Sequence, residues 1–289
     1  MNFGVGSMVA PLRRVAMRRP GRATFEADPV LWHYTRRLDA TRLAHQYDLF
    51  VHHIERAGAE IEWLPGADDG LADSIFVFDP SFMTPHGAIV LRPSKSLRVP
   101  EVTLHEALWE RLDIPVLGTI TEPGTAEGGD LVWLDESTLL AGRGFRTNQA
   151  GIDQLGEILG PLGVRIHAFD LPVWRGSEAC LHLLSLMSPL DRDLALVYRP
   201  LVPVALYGML RERGMECLDA NEKEFVASGG LSVNVLALEP RRCLTLAGFP
   251  RTLRTMKNAG CQVTCFVADA LCLPCEGGPT CLTLPVWRG

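Results

Sequence analysis

Five times along the chain, the end of a helical segment runs into a short alternating strand, and this recurrence limits the fold more than any other feature. The junctions are Arg56–Leu64, Arg111–Leu117, Pro161–Phe169, Glu212–Leu218 and Asn258–Phe266. Most carry a glycine where the helix would stop, the residue that tolerates the left-handed conformation of a C-terminal cap. They recur roughly every 46–55 residues, a spacing that belongs to repeat architectures.

The helices ahead of these junctions have a 3.6-residue period. Leu43, Tyr47, Phe50 and Ile54 share one face, as do Leu104, Leu108 and Leu112, and Ile152, Leu155 and Leu159. Hairpin-like apolar runs come before the later helices: Ser74–Asp79 with Ala88–Leu91, Asp130–Leu134 with Thr138–Gly142, Leu181–Met187 with Leu194–Val197, and Val233–Leu238 with Cys243–Ala247. The last run, Cys281–Trp287, has no helix after it. The first helix, near Thr35–Ala57, has only the short strand Val15–Arg18 before it. Joined, the two ends make a fifth unit. The sequence therefore predicts an α/β fold, a five-bladed pseudosymmetric propeller of ββαβ modules, closed so that no sheet edge stays open. On periodicity alone, an α/β protein without symmetry is the alternative. Residues 1–12 are expected to be disordered or extended, and 13–289 to form a single domain.

The formal charge of −6 argues against non-specific binding to nucleic acid or acidic membranes. No run approaches the roughly 18 apolar residues of a membrane span. The arginines between Arg13 and Arg22 follow the Gly-rich start, the reverse of a secretory signal. A cytoplasmic chain is expected, and its eight cysteines are expected to be free thiols.

Four segments carry more acids, glycines or nucleophiles than a core strand needs. Asp73 and Asp79 flank an apolar run, and their even spacing would place both on one face of a strand; Asp79 before Pro80 would equally serve as a turn initiator. Glu127-Gly-Gly-Asp130 brackets paired glycines with acids, a pattern that lets backbone approach a ligand, although a loop with solvated acids reads the same. In Cys180-Leu-His182-Leu-Leu-Ser185, the imidazole is either a catalyst or a hydrogen-bonded core residue. In Glu276-Gly-Gly-Pro-Thr-Cys281, a Gly-rich turn delivers a cysteine to the start of a strand.

Taken in order, these segments resemble the dimethylarginine dimethylaminohydrolases and their relatives, the arginine deiminases and amidinotransferases. The resemblance spans roughly Asp73 to Trp287. Besides the segments above it includes Leu91-Arg-Pro-Ser-Lys-Ser-Leu-Arg98 and Arg146-Thr-Asn-Gln149. It implies the same five-bladed propeller and a catalytic set of Cys281 as nucleophile, His182 as general acid–base and Glu127 as the carboxylate that orients the guanidinium. It further implies substrate contacts from Asp73, Asp79 and Asp130, with Arg98 and Arg146 holding an α-carboxylate. Two positions depart from the pattern. Phe78 stands where the hydrolases usually carry a Glu, and Leu184 stands where arginine deiminases carry an Asp two residues after the His.

The implied reaction is hydrolysis of a methylated arginine to citrulline and an amine through a thiouronium on Cys281. Carboxylates match the planar N–H fork of a guanidinium, and a thiolate is a strong enough nucleophile for its resonance-stabilised carbon. No metal or organic cofactor is needed. The expected partner is a small guanidino substrate, and a homodimer is compatible with the sequence. The Arg-, Pro- and aromatic-rich stretch Pro20–Tyr34 is either a lid over the site or an ordinary surface loop. Rival readings are an amidinotransferase, a deiminase of another guanidino compound, a catalytically dead binding member of the fold, and a metal-binding module built on Cys272, Cys275, Cys261 and Cys265.

Overall fold

The structure, a computed structural model, describes residues 2–289 except Asp68, Asp69, Glu178 and Cys180. Its strands form five three-stranded sheets. The first combines β1 (Leu12–Met17) and β2 (Glu60–Trp63) with the last strand of the chain, β15 (Leu284–Arg288). The others follow in order: β3 (Ser81–Thr84), β4 (Gly87–Val90) and β5 (Val116–Thr119); β6 (Leu131–Asp135), β7 (Thr138–Arg143) and β8 (Arg165–Asp170); β9 (Met187–Asp191), β10 (Leu194–Val197) and β11 (Glu216–Asp219); β12 (Leu236–Glu239), β13 (Arg242–Leu246) and β14 (Gln262–Phe266). In each sheet the middle strand pairs antiparallel on one side and parallel on the other.

The parallel partner is reached through a helix, since a parallel pair needs a crossover. After two short turns of helix, α1 (Arg22–Phe25) and α2 (Pro29–Trp32), the first crossover is α3 (Ala40–Arg56). Next come α4 (Val102–Arg111) and α5 (Gln149–Leu159). The short α6 (Leu183–Leu186) precedes the crossover α7 (Val204–Glu212), and α8 (Glu222–Ala227) precedes the crossover α9 (Pro250–Asn258). Asp39 starts α3 by accepting from the Arg42 N–H, and Leu43, Tyr47, Phe50 and Ile54 are all buried, as their spacing predicts. At four of the five helix-to-strand junctions a glycine takes positive φ (Gly58, Gly163, Gly214 and Gly260); at the remaining one Asp113 does so.

Middle strands such as β4 and β10 are buried at every position and read as continuous apolar runs, whereas the parallel outer strands β8 and β14 alternate with solvent. The five-module α/β propeller is thus present. Residues ahead of β1 bond to neighbouring sheets: the Gly4 N–H donates to Val286 O at 2.8 Å and the Val5 N–H to Thr84 O at 3.2 Å. Among the described residues, no helix is long and apolar enough to cross a membrane.

Three predicted strands are displaced. Ser74–Asp79 is not a strand; Ala72–Ile75 forms a 3-10 turn, and pairing begins only at Ser81. Leu181–Met187 is mostly the turn of helix α6, with β9 starting at Met187. Cys281 lies in the turns ahead of β15. All three segments are largely buried, so their apolar runs carry no alternation that could tell strand from tight turn.

Candidate active site

The displaced segments share one position in the repeat: each is the turn leading into the first strand of a module. Asp73 and Asp79 precede β3, Glu127 and Asp130 precede β6, His182 precedes β9, Asn234 precedes β12, and Cys281 precedes β15. A cavity with about 390 Å³ of empty space is lined by Asp73, Asp79, Lys95, Arg98, Glu127, Arg146, His182, Cys275 and Cys281. The residues expected to form the nucleophile, the acid–base and the carboxylate thus meet in one space.

His182 Nε2 lies 2.7 Å from Glu127 Oε2. The other oxygen, Oε1, accepts from the Ser94 N–H and the Ser94 hydroxyl, both at 2.9 Å. Burial would raise the Glu127 pKa, but the His182 hydrogen bond and charge, helped by Arg146 and Arg98, pull it below the usual carboxylate range. Glu127 therefore stays anionic at neutral pH, able to hold a cation. The paired glycines of Glu127-Gly-Gly-Asp130 serve the protein's own close packing. A Cβ on Gly128 would lie 2.0 Å from the Phe78 carbonyl oxygen, and one on Gly129 would lie 2.4 Å from His182 Nδ1.

Asp130, expected to touch substrate, does not line the cavity. It is buried behind His182, where its Oδ1 accepts the Leu183 N–H at 3.0 Å and so fixes the start of α6. Burial, against the opposing effects of His182 and the Leu183 N–H, pushes its carboxyl up to about 7. A folded-state pKa above the unfolded value of about 3.9 means stability is fully present below pH ~4 and is lost as pH rises through ~7. Asp130→Asn keeps the acceptor and removes the titration. Urea unfolding at pH 5 and pH 8 is expected to show wild type losing more stability across that interval than the variant, by an amount on the order of 2 kcal/mol. Equal losses would show that Asp130 does not titrate there.

Asp79 is held by the Gly129 N–H on Oδ1 at 3.1 Å and by Arg98 Nη1 on Oδ2 at 2.7 Å. Arg98 lines the cavity and is also tied to protein groups. Its Nε and Nη2 bind the Glu101 carboxylate at 3.0–3.2 Å, and Nη2 also donates to Phe76 O at 2.9 Å. A guanidinium has five N–H donors, and four are spent on the protein, so Arg98 braces Asp79 while lining the cavity. Arg146 lines the cavity as expected. Asp73 accepts from Tyr34 Oη at 2.7 Å and lies 3.5 Å from Lys95 Nζ. Through Tyr34, the stretch Pro20–Tyr34 touches the site.

Two cysteines reach the cavity, and their surroundings differ. Burial and the nearby charge of Asp73 push the Cys275 thiol up, so it stays protonated. Cys281 instead receives a hydrogen bond from Asn234 Nδ2 at 3.4 Å. The Asn234 side chain also accepts the Thr280 N–H at 3.1 Å, fixing the turn that carries the sulfur. Asn234 was not singled out in the sequence. Its place in the repeat was the available signal, because it holds in its module the position that Asp79, Glu127, His182 and Cys281 hold in theirs.

Ligand atoms of Asp79, Glu127 and His182 lie within 4.8 Å of one another, a spacing that could gather a metal ion. Arg98, at 2.7 Å from Asp79, puts a fixed positive charge beside any such ion, and a planar N–H cation that shares the remaining lone pairs fits the donors better. Among the described residues, Cys261, Cys265, Cys272 and Cys275 belong to no group of three or more ligand atoms. The seven described cysteines are free; Cys180 lies outside the described residues.

A five-module propeller that aims a thiol, an imidazole and acids into one cavity has the architecture of the guanidine-modifying enzymes. The family model for arginine deiminase matches residues 69–225, more than half of the chain. A dimethylarginine dimethylaminohydrolase from Streptomyces coelicolor is 30% identical over 238 residues, covering 82% of this chain and 87% of that protein. Two solved structures share the fold. One is the Pseudomonas aeruginosa dimethylarginine dimethylaminohydrolase, as a mutant complexed with citrulline (TM-score 0.77, 21% identity, 95% of this chain and 99% of that one). The other is an amidinotransferase of saxitoxin biosynthesis from Microseira wollei (TM-score 0.79, 16% identity, 99% and 97%). The chain belongs to the arginine deiminase and dimethylarginine dimethylaminohydrolase family, C–N hydrolases acting on guanidino groups.

Proposed function

We propose that the chain hydrolyses a methylated arginine, dimethylarginine or monomethylarginine, to citrulline and the corresponding amine. Glu127 and Asp79 hold the guanidinium over the sulfur. The Cys281 thiolate attacks the guanidino carbon, the bond to the methylated nitrogen breaks, and His182 protonates the departing amine. His182 then takes a proton from water, the resulting hydroxide adds to the thiouronium carbon, and the C–S bond breaks to return the thiolate.

The observation that favours a methylated substrate is a second pocket behind the Cys281–His182 pair. Leu184, which stands where arginine deiminases carry an Asp, lines it together with Phe78 and Leu231. These apolar side chains, set among the polar Ser185, Asn234, Glu276 and Thr280 of the same pocket, offer N-methyl groups a surface to pack against. The S. coelicolor relative, named for dimethylarginine, points the same way.

The reading is tested by assaying ureido product and released amine from dimethylarginine, monomethylarginine, arginine and shorter guanidino acids, with and without acceptor amines. Methylated arginines are expected to exceed arginine in kcat/KM by about tenfold or more, corresponding to ~1.4 kcal/mol of discrimination. A preference for arginine would make the enzyme a deiminase. Transfer of the amidino group to an added amine would make it an amidinotransferase.

A further inference from the structure

Next to the pocket behind the Cys281–His182 pair lies another, with about 290 Å³ of empty space, that shares Phe78, Leu184 and Thr280 with it. It has no lining residue in common with the inner cavity, so it is separate from the place where Asp79 and Glu127 would hold a guanidinium. Among the described residues its walls are apolar, from Met8 and Pro189 to Val235 and Leu236, except at Thr280 and Arg288.

These two polar side chains are unusually placed. Arg288 is 8% exposed and Thr280 4%. Arg288 Nη1 donates to Ala10 O at 2.6 Å, but its Nε is buried without a hydrogen-bond partner among the described residues. The buried Thr280 hydroxyl is in the same condition. No carboxylate offsets the Arg288 charge: burial alone acts on the guanidinium and pulls it down to about 9, so it is still a cation at neutral pH. A carbonyl such as that of Ala10 satisfies a donor yet leaves the charge uncompensated, and a water at Nε would do the same.

We propose that Arg288 and Thr280 form a binding site for a small monovalent anion, chloride or one of its size, behind the turn that carries Cys281. The anion accepts from Arg288 Nε and from the Thr280 hydroxyl and supplies the missing counter-charge. Apolar walls strengthen that pairing, and the room at the centre of the pocket is about that of one water molecule, which admits a halide and excludes the larger, more strongly hydrated sulfate or phosphate. The Thr280 N–H is already fixed by Asn234; the anion holds the same residue by its side chain and ties the nucleophile turn to β15, which carries Arg288.

The test measures chloride NMR linewidths with the whole protein in gluconate buffer at constant ionic strength, for wild type, Arg288→Met and Thr280→Val. Wild type is expected to broaden the signal saturably, bromide to reverse the broadening and sulfate to leave it. Arg288→Met is expected to remove most of the saturable part, and Thr280→Val to weaken the affinity by about fivefold, the loss of one hydrogen bond. Thermal unfolding gives an independent measure. At chloride about ten times the dissociation constant, the wild-type midpoint is expected to rise by about 3 °C over gluconate, and that of Thr280→Val by about half as much. Where Arg288→Met fails to fold, Thr280→Val and the bromide–sulfate comparison decide. Broadening that does not saturate, sulfate competing as well as bromide, or variants that bind like wild type would each overturn the inference.

Discussion

Turnover of every guanidino substrate is expected to fall by at least about 10³-fold in Cys281→Ser, as in other enzymes stripped of their nucleophile. A serine hydroxyl is far harder to deprotonate than a thiol, and one hydrogen bond from Asn234 is too weak a stabiliser to make an alkoxide at neutral pH. Serine is smaller than cysteine and nearly isosteric, so the turn fixed by Asn234 and Thr280 should survive, which unchanged thermal unfolding would verify. Intact-mass analysis during turnover gives the complementary result: a covalent adduct on wild type and none on the variant. Retention of more than a few per cent of activity would remove Cys281 from the chemistry and return attention to Cys275, the other sulfur in the cavity.

The second large effect is expected from Gly129→Ala, a change of one methyl group on a residue with no side-chain chemistry. The new Cβ would stand 2.4 Å from His182 Nδ1 and 2.6 Å from its Cγ, closer than atoms can approach. The ring has to move, and the 2.7 Å contact between Nε2 and Glu127 moves with it. The Gly129 N–H that holds Asp79 is untouched by the substitution, so the displaced imidazole is the main change in the site. Misplacing a catalytic group by about 1 Å can cost ~10²-fold, and a loss in kcat of that order is expected. Measuring kcat with a good substrate and checking the folded state by circular dichroism decides the point; near-normal kcat would mean the ring need not lie against Gly129.

The modular plan was open to sequence reading because it is written in long-period features. Glycines stop the helices, Leu43 to Ile54 mark a face, and the apolar runs of β4, β7 and β10 mark buried middle strands. The turns that carry the chemistry were not. Asp73 and Asp79 do share a cavity, but not because they sit on one face of a strand; a 3-10 turn and a bend bring them together. Burial on all sides erased the alternation that would have revealed this. Asp130 and Arg98 show a related difficulty. An acid in the right segment can face the cavity or stand behind it, and for Asp130 the Leu183 N–H decides; an arginine on the cavity wall, such as Arg98, can still spend most of its donors on protein groups such as Glu101. Asn234 went unseen since a single amide in an apolar run has no chemistry of its own until a sulfur is set beside it.

The loop after β4 reaches three of the acids that line the cavity, each with a different side chain: Ser94 binds Glu127, Lys95 faces Asp73, and Arg98 braces Asp79. Five consecutive positions therefore act as a gauge block for the negative charges of the site. Lengthening or shortening that stretch by one residue would respace all three anchors together. A change in how far a substrate can extend is thus more readily obtained by altering this loop's length than by exchanging any one acid.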